Sequence, residues 1–133
     1  MKIALDTNVI VSAIGTRGLC AELFALVLAE HEPIVGETVL AETRRVLRTK
    51  FKLDAALVDE AEQHLRRHGT IVPAAAPLPL SIRDPSDIPV LAEAVAGGAD
   101  ILISGDDDLL SVAEQAPIRI ESPRQAWQAL RGR

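Results

Sequence analysis

Acidic side chains recur in this sequence where a short apolar run gives way to a helix. Asp6 follows the apolar residues 2–5, and three consecutive aspartates begin at Asp106, just after Ile101-Leu102-Ile103 and the turn Ser104-Gly105. At an effective dielectric constant near 20, two carboxylates about 4 Å apart repel each other by about 4 kcal/mol. The aspartates therefore either point apart as helix caps and solvated groups, or are held together by a cation.

Two further acids are expected to face inward. At 100° per residue, Glu42 lies on the apolar edge of a helix predicted from Thr38 to about Lys50. Asp87 projects near the apolar side of a helix that starts within residues 83–87, whereas Glu93 falls on the opposite face and is expected to be solvated. Anionic oxygen ligands suit Mg²⁺ or Mn²⁺ rather than zinc. Such cations promote phosphodiester hydrolysis, which makes this reaction the first candidate.

Each acid also has an ordinary structural interpretation. Asp6 can cap the first helix, Glu42 can pair with Arg45, Asp84 or Asp87 can cap a helix start, and residues 106–108 can place negative charge at a helix N-terminus. Capping, however, does not require Glu42 and Asp87 to face inward, and it needs one aspartate after the fourth strand rather than three. Taken together, the acids favour a shared site.

The elements that position these residues alternate between strands and helices. Short strands are predicted at residues 2–5, 33–35, 70–73, 101–103 and about 117–120, separated by one or two helices. This order predicts an α/β fold, a three-layer sandwich whose mainly parallel, roughly five-stranded central sheet is flanked by helices. Ligands of such sheets bind beyond the carboxyl ends of the strands, so Asp6 and Asp106 should lie on one edge.

Composition limits the other possibilities. The 133 residues fit a single domain spanning 1–133, and 48% hydrophobic content indicates a globular chain. No apolar run reaches the length of a membrane span, so we expect no membrane association and a cytoplasmic protein. With two Phe, one Trp and no Tyr, the chain lacks the aromatic platforms of single-strand binding modules, so any contact with nucleic acid is expected mainly through phosphates.

Basic residues cluster after Glu42, although the net charge is −5. The cluster comprises Arg44, Arg45, Arg48, Lys50 and Lys52, and Arg17 in the first loop could join it. Such a run is commonly a solvated helix face. Its functional interpretation is a set of contacts to RNA phosphates leading to the acidic site, and we assign these contacts to Arg17, Arg44, Arg45 and Arg48.

Four segments also resemble the motifs of a known family, the PIN-domain ribonucleases, and in particular the VapC-like toxins of toxin–antitoxin pairs. The segments are Leu5-Asp6-Thr7-Asn8, Glu42 with Val46-Leu47, Arg83-Asp84-Pro85-Ser86-Asp87, and Ser104-Gly105-Asp106-Asp107-Asp108-Leu109-Leu110. They occur in order along almost the whole chain.

The resemblance implies a Mg²⁺- or Mn²⁺-dependent endoribonuclease whose metal-binding and catalytic acids are Asp6, Glu42, Asp87 and Asp106. It assigns supporting roles, such as orienting water or a second ligand, to Thr7, Asn8, Asp84, Ser104 and Asp108. It further implies an RNA substrate, a small antitoxin protein that covers the site, and a homodimer.

Two alternatives belong to other classes. One is an RNA- or protein-binding module that keeps the scaffold without chemistry, which the intact set of acids disfavours. The other is a phosphatase with Asp6 as nucleophile. That reaction would favour a second acid two residues further on, where the chain has Asn8. His64 and His68 are spaced like zinc ligands, but no motif supplies a third ligand.

Overall fold

The architecture comes from a computed structural model, which describes residues 1–131. Its strands are β1 (Lys2–Leu5), β2 (Glu32–Gly36), β3 (Thr70–Val72), β4 (Ile101–Ile103) and β5 (Arg119–Glu121). Its helices are α1 (Thr7–Gly15), α2 (Leu19–Glu30), α3 (Glu37–Thr49), α4 (Ala55–His68), α5 (Asp87–Ala96), α6 (Asp107–Leu110) and α7 (Pro123–Arg131).

The five strands form one parallel sheet in the order β3-β2-β1-β4-β5. The chain moves outward from β1 in one direction through β2 and β3, and then returns to place β4 on the other side of β1. The gap between β1 and β4 is thus the switch point, where open α/β sheets bind ligands at the carboxyl ends of the strands. The predicted α/β sandwich with a five-stranded parallel sheet is confirmed.

The strands are covered on both faces by helices, which explains their uniformly apolar sequences. Every residue of β4 is buried, and so are Ile3, Ala4 and Leu5 of β1. Helix α1 packs against α2 and α3, α2 packs against α7, and α5 packs against α3 and β2. Because the short central strands are enclosed, the first residues after them are fixed closely in space.

The start of α3 corrects two expectations. The helix was predicted to begin at Thr38, but it begins at Glu37, and Gly36 before it supplies no side-chain cap. Instead, Glu93 of α5 is fully buried and accepts hydrogen bonds from the Thr38 amide, at 2.7 Å, and from the Thr38 hydroxyl. Glu93 was predicted to be solvated, and this was wrong because α5 packs against both the sheet and α3.

No single helix within the described residues is long and apolar enough to cross a membrane. Helices α1 and α2 meet the length and composition criteria only as a pair, and the two are bent by 105° relative to each other.

Candidate metal-binding active site

The site is built at the carboxyl ends of β1 and β4. The two strands are paired in register, with Leu5 opposite Ile103, so the residues that follow them emerge side by side. The Asp6 amide donates to the Ile103 carbonyl at 3.0 Å, which extends the pairing to the first acidic residue. This arrangement brings Asp6 next to the turn that leads to Asp106.

Asp6 is held from two directions. One carboxylate oxygen accepts the Thr7 amide at 2.7 Å, and the other accepts the buried Ser104 hydroxyl at 2.6 Å. Burial raises the pKa of Asp6, the hydrogen bonds from Ser104 and Thr7 oppose this rise, and the charges of Asp106 and Glu42 add to it. The carboxylate therefore has a fixed orientation in an environment that disfavours its negative charge.

Asp87, the first residue of α5, is the most perturbed acid of the site. Burial, followed by the charges of Asp106 and Asp84, raises its pKa to about 7. Its Oδ2 is buried without a hydrogen-bond partner, and the neighbouring Asp106 carboxyl adds negative charge. Neighbouring carboxylates repel each other unless a proton or a cation offsets their charge, so this pair is a place for positive charge.

The acidic turn after β4 supplies the remaining aspartates. Asp106 caps α6, since its Oδ1 accepts the Asp108 amide at 2.8 Å, and its own amide donates to the Ser104 hydroxyl at 3.0 Å. Carboxylate oxygens of Asp84, Asp87 and Asp108 all lie within 4.8 Å of one another. Asp107 is exposed. The three aspartates of the turn therefore have different environments.

Asp84 stands at the exposed side of this cluster. Hydrogen bonds from the amide and hydroxyl of Ser86 lower its pKa. The same contacts order the turn that precedes α5 and so help to position Asp87.

Glu42 reaches the site from α3 as one half of an ion pair. Arg45 donates from Nε to Glu42 Oε2 at 3.0 Å and from a second guanidinium nitrogen to Oε1. This hydrogen bonding lowers the pKa of Glu42. The pairing of Glu42 with Arg45, which the sequence offered as an alternative, is thus present, and Glu42 also lines the acidic cavity.

One cavity of about 890 Å³ joins these residues. Its lining includes Asp6, Thr7, Asn8, Glu42, Arg45, Lys50, Phe51, Asp84, Ser86, Asp87 and Asp106. Ser104 binds Asp6, and Asp108 lies beside Asp84 and Asp87. The cavity lining thus includes all four predicted metal-binding acids and three of the five predicted supporting residues, while Ser104 and Asp108 lie next to it. The described acids whose oxygens are close enough together to share a cation are Asp84, Asp87 and Asp108, of which only Asp87 was predicted as a metal ligand.

The basic residues are distributed differently. Arg45 lines the cavity, whereas Arg17, Arg44 and Arg48 are not part of its lining. Arg44 instead bonds to Asp59 at 3.0 Å and to Glu62 at 2.6 Å, which links α3 to α4.

Sequence reasoning did not assign site positions to Lys50, Phe51 and Ser86. Lys50 could have been proposed as a member of the basic cluster. No sequence pattern places Phe51 at the cavity, because the direction of its side chain depends on how the chain leaves α3.

The donor set fits a hard divalent cation. The acids offer only oxygen ligands, and none of the three histidines lines the cavity in the described chain. A bound cation would give the buried Asp87 Oδ2 a partner and offset the negative charge of the neighbouring Asp106. Chemically, such a cluster can hold Mg²⁺ or Mn²⁺ beside a phosphate.

Comparisons with known proteins agree with this fold. The sequence pattern of the PIN domain matches residues 2–108. No curated protein matches the sequence.

Solved structures that share the fold include three whose sequences are distant from that of this chain. The complex VapBC2 from Rickettsia felis, bound to a DNA fragment from its promoter, contains a chain with 16% identity and a TM-score of 0.63, covering 92% of this chain and 98% of that one. VapBC-1 from nontypeable Haemophilus influenzae contains a chain with 15% identity and a TM-score of 0.63, and the match covers 93% of this chain and 99% of that one. A PilT N-terminus domain protein from Sulfolobus solfataricus P2 has 15% identity and a TM-score of 0.60, and the match covers 98% of this chain and 93% of that one.

Proposed function

We propose that this chain, which belongs to the PIN-domain family, is a divalent-metal-dependent endoribonuclease that hydrolyses RNA phosphodiester bonds. One observation carries the proposal: Asp6, Glu42, Asp87 and Asp106 line a single cavity, where carboxylate oxygens of Asp84, Asp87 and Asp108 also lie within 4.8 Å of one another. Such a concentration of negative charge is costly for folding unless it has a ligand to hold.

Asp6, Asp87 and Asp106 would hold Mg²⁺ or Mn²⁺, with Glu42 as a further ligand. When bound, the cation would polarise the phosphate and lower the pKa of the attacking water. The protein's own contribution is positional. Ser104 binds both Asp6 and the Asp106 amide, so one hydroxyl fixes the relative orientation of two acids from neighbouring strands.

Arg45 would exchange partners during this process. An exposed ion pair such as Arg45–Glu42 contributes little to stability, so Glu42 can leave it for a cation at little cost. The freed guanidinium would then bind an RNA phosphate at the rim of the same cavity.

The likeness to VapBC proteins supports a narrower assignment, the toxin of a toxin–antitoxin pair, with a small antitoxin covering the cavity and a homodimer as the assembly. An RNA substrate would place this activity in the cytoplasm. Expression of the wild-type chain, but not of Asp6→Asn, should then arrest growth of its host. If the chain is an active nuclease but its expression does not slow growth, the toxin assignment would be wrong and the nuclease assignment would stand.

A circular RNA substrate tests the enzymatic proposal, because it has no ends for an exonuclease. We expect cleavage with Mn²⁺, none with EDTA, and none by Asp6→Asn. Asp107→Asn is the matched control, since Asp107 is exposed and does not line the cavity, and it should retain activity. Cleavage in EDTA, or full activity of Asp6→Asn, would contradict the mechanism.

The same assay separates the alternatives. A non-catalytic RNA- or protein-binding module would leave the circle intact under every condition. A phosphatase is disfavoured by Asn8, which stands where a second acid would be needed and uses its side-chain oxygen to accept the Gly105 amide at 3.1 Å.

A further inference from the structure

An aromatic ring stands at the rim of the acidic cavity. Phe51, one of two phenylalanines in the chain, lies just beyond the end of α3, and its residue is 41% exposed. It lines the same cavity as Asp6 and Asp87. RNA was expected to be contacted mainly through its phosphates, but this exposed ring could also contact a base.

The ring is held in place before any ligand arrives. It rests on Gly15 so closely that a Cβ on that glycine would lie 2.8 Å from the ring. The Phe51 amide donates to the Val46 carbonyl at 3.3 Å, and the Leu53 amide donates to Leu47 at 3.0 Å, so the backbone is fixed on both sides. A preorganised ring loses little conformational freedom when a ligand stacks on it.

The charges around the ring match a nucleotide. Arg45 and Lys50 line the cavity with Phe51, and the acidic cluster lies in the same cavity. Sites for single-stranded nucleic acid combine basic groups for the phosphates with aromatic rings for the bases. A single-stranded segment could therefore place one phosphate at the acids and an adjacent base on the ring.

We propose that Phe51 forms a stacking subsite for one unpaired RNA base next to the phosphate that is cleaved. The inference rests on the proposed function and adds a substrate requirement to it: the nucleotide at this position must be single-stranded. Because any base has a face to stack, the subsite would select unpaired structure rather than sequence.

The test measures binding of a short single-stranded RNA by fluorescence anisotropy in Mn²⁺, with Asp6→Asn as a common non-cleaving background. Phe51→Leu should weaken binding about tenfold, since base stacking on an aromatic side chain contributes about that much. Phe51→Tyr should bind like the parent. Phe24→Leu is the matched control, because Phe24 is the other phenylalanine and does not line the cavity.

Abasic nucleotides identify the stacked base. Removing the base at one position should weaken binding to the Phe51-containing protein about tenfold but leave binding to Phe51→Leu unchanged. Gly15→Ala, which pushes the ring out of place without altering it, should reproduce the effect of Phe51→Leu.

Full additivity of the abasic and Phe51→Leu effects, or unchanged RNA affinity of Phe51→Leu, would overturn the subsite. A change in oligomeric state with unchanged RNA affinity would also overturn it, by identifying the ring as a protein contact. If the wild-type chain cleaves RNA while the stacking test fails, only this inference falls. If it cleaves no RNA with Mn²⁺, the proposed function itself fails.

Discussion

Glu93 caps helix α3 from a different helix: its carboxyl group accepts the Thr38 amide at 2.7 Å and the Thr38 hydroxyl, although 55 residues separate the two in sequence. Gly36 at the start of α3 supplies no side-chain cap, so Glu93 satisfies an amide that would otherwise be orphaned. Because α3 carries Glu42 and Arg45, this contact connects the buried core to the acidic cavity.

Glu93→Ala is expected to lower the free energy of unfolding by about 2 kcal/mol, since it leaves the partly buried Thr38 amide and hydroxyl without their acceptor. Glu93→Gln keeps one acceptor oxygen and should cost less. Urea denaturation measures both. Glu60→Ala on the exposed face of α4 is the control and should change stability by less than about 0.5 kcal/mol.

A double-mutant cycle tests whether Gly36 and Glu93 are in direct contact. A Cβ on Gly36 would lie 2.5 Å from Glu93 Oε1, while the backbone at Gly36 is extended and acceptable for alanine. Gly36→Ala should therefore destabilise the wild type by about 1–3 kcal/mol through overpacking. The cost should be smaller but not abolished in the Glu93→Ala background, which removes the carboxyl group but keeps the Glu93 Cβ, 2.9 Å from the added methyl carbon. Equal costs in the two backgrounds would refute the contact.

Ser104→Ala should weaken metal binding more than it weakens folding. The hydroxyl donates to Asp6 and accepts the Asp106 amide, and partners of this kind typically change metal affinity by about 10- to 100-fold. Calorimetric titration with Mn²⁺ measures the effect. Ser111→Ala removes an exposed hydroxyl bonded to the Asp108 carbonyl and should leave the affinity unchanged. Equal affinities of the two variants would exclude the positioning role of Ser104.

The metal-free protein should become less stable as the pH rises. Burial and the neighbouring acids raise the pKa of Asp87 from 3.8 to about 7, so between these values the folded state holds more protons than the unfolded chain. Stability from this group is fully present below about pH 3.8 and is lost as the pH rises through about 7. Urea midpoints in EDTA from pH 5 to 8 measure the slope.

Asp87→Asn should flatten that slope, because asparagine does not titrate, whereas Asp107→Asn should retain it. Burial raises the pKa of Asp6 as well, so a residual slope of the same sign is expected. Identical slopes for the wild type and Asp87→Asn would show that this carboxyl group does not hold its proton in the folded protein.

Arg44 and Arg45 are adjacent, but their replacement by glutamine should affect different properties of the protein. Arg45→Gln removes the partner of Glu42, so Mn²⁺ affinity should rise severalfold while RNA binding weakens. Arg44→Gln removes the bonds to Asp59 and Glu62, so it should lower stability slightly and leave RNA binding unchanged. Similar RNA affinities of the two variants would argue against Arg45 as a phosphate contact.

Local sequence patterns were sufficient to predict the sheet and the strand-end acids. Apolar runs locate β1 and β4, and in a parallel sheet the residues after neighbouring strands must meet at one edge, which brings Asp6 to Asp106. The fold class followed from this reasoning, whereas the family was inferred from the resemblance of four segments to its motifs, and both are confirmed. The assignment of individual acids to a metal stays a prediction.

Features that depend on long-range packing were not predictable in the same way. The helical period placed Glu93 opposite the apolar side of α5, but it cannot show that α3 covers that face. Arg44 and Arg45 belong to the same basic run and point to different sides of α3, but the run does not show that α4 packs beside Arg44 and supplies Asp59 and Glu62 as its partners. Phe51 is aimed by the turn after α3, where Lys52 has φ +53°, and by its contact with Gly15.

The central claim is that the acidic turn after β4 holds a cation, and neighbouring aspartates allow a matched test. Asp106→Asn keeps the helix-capping geometry but removes the charge, whereas Asp107→Asn removes an exposed charge one residue away. Thermal unfolding with increasing Mn²⁺ should show a rise in Tm for the wild type and Asp107→Asn, and none for Asp106→Asn. An equal rise in all three proteins, or no rise in the wild type, would contradict the account.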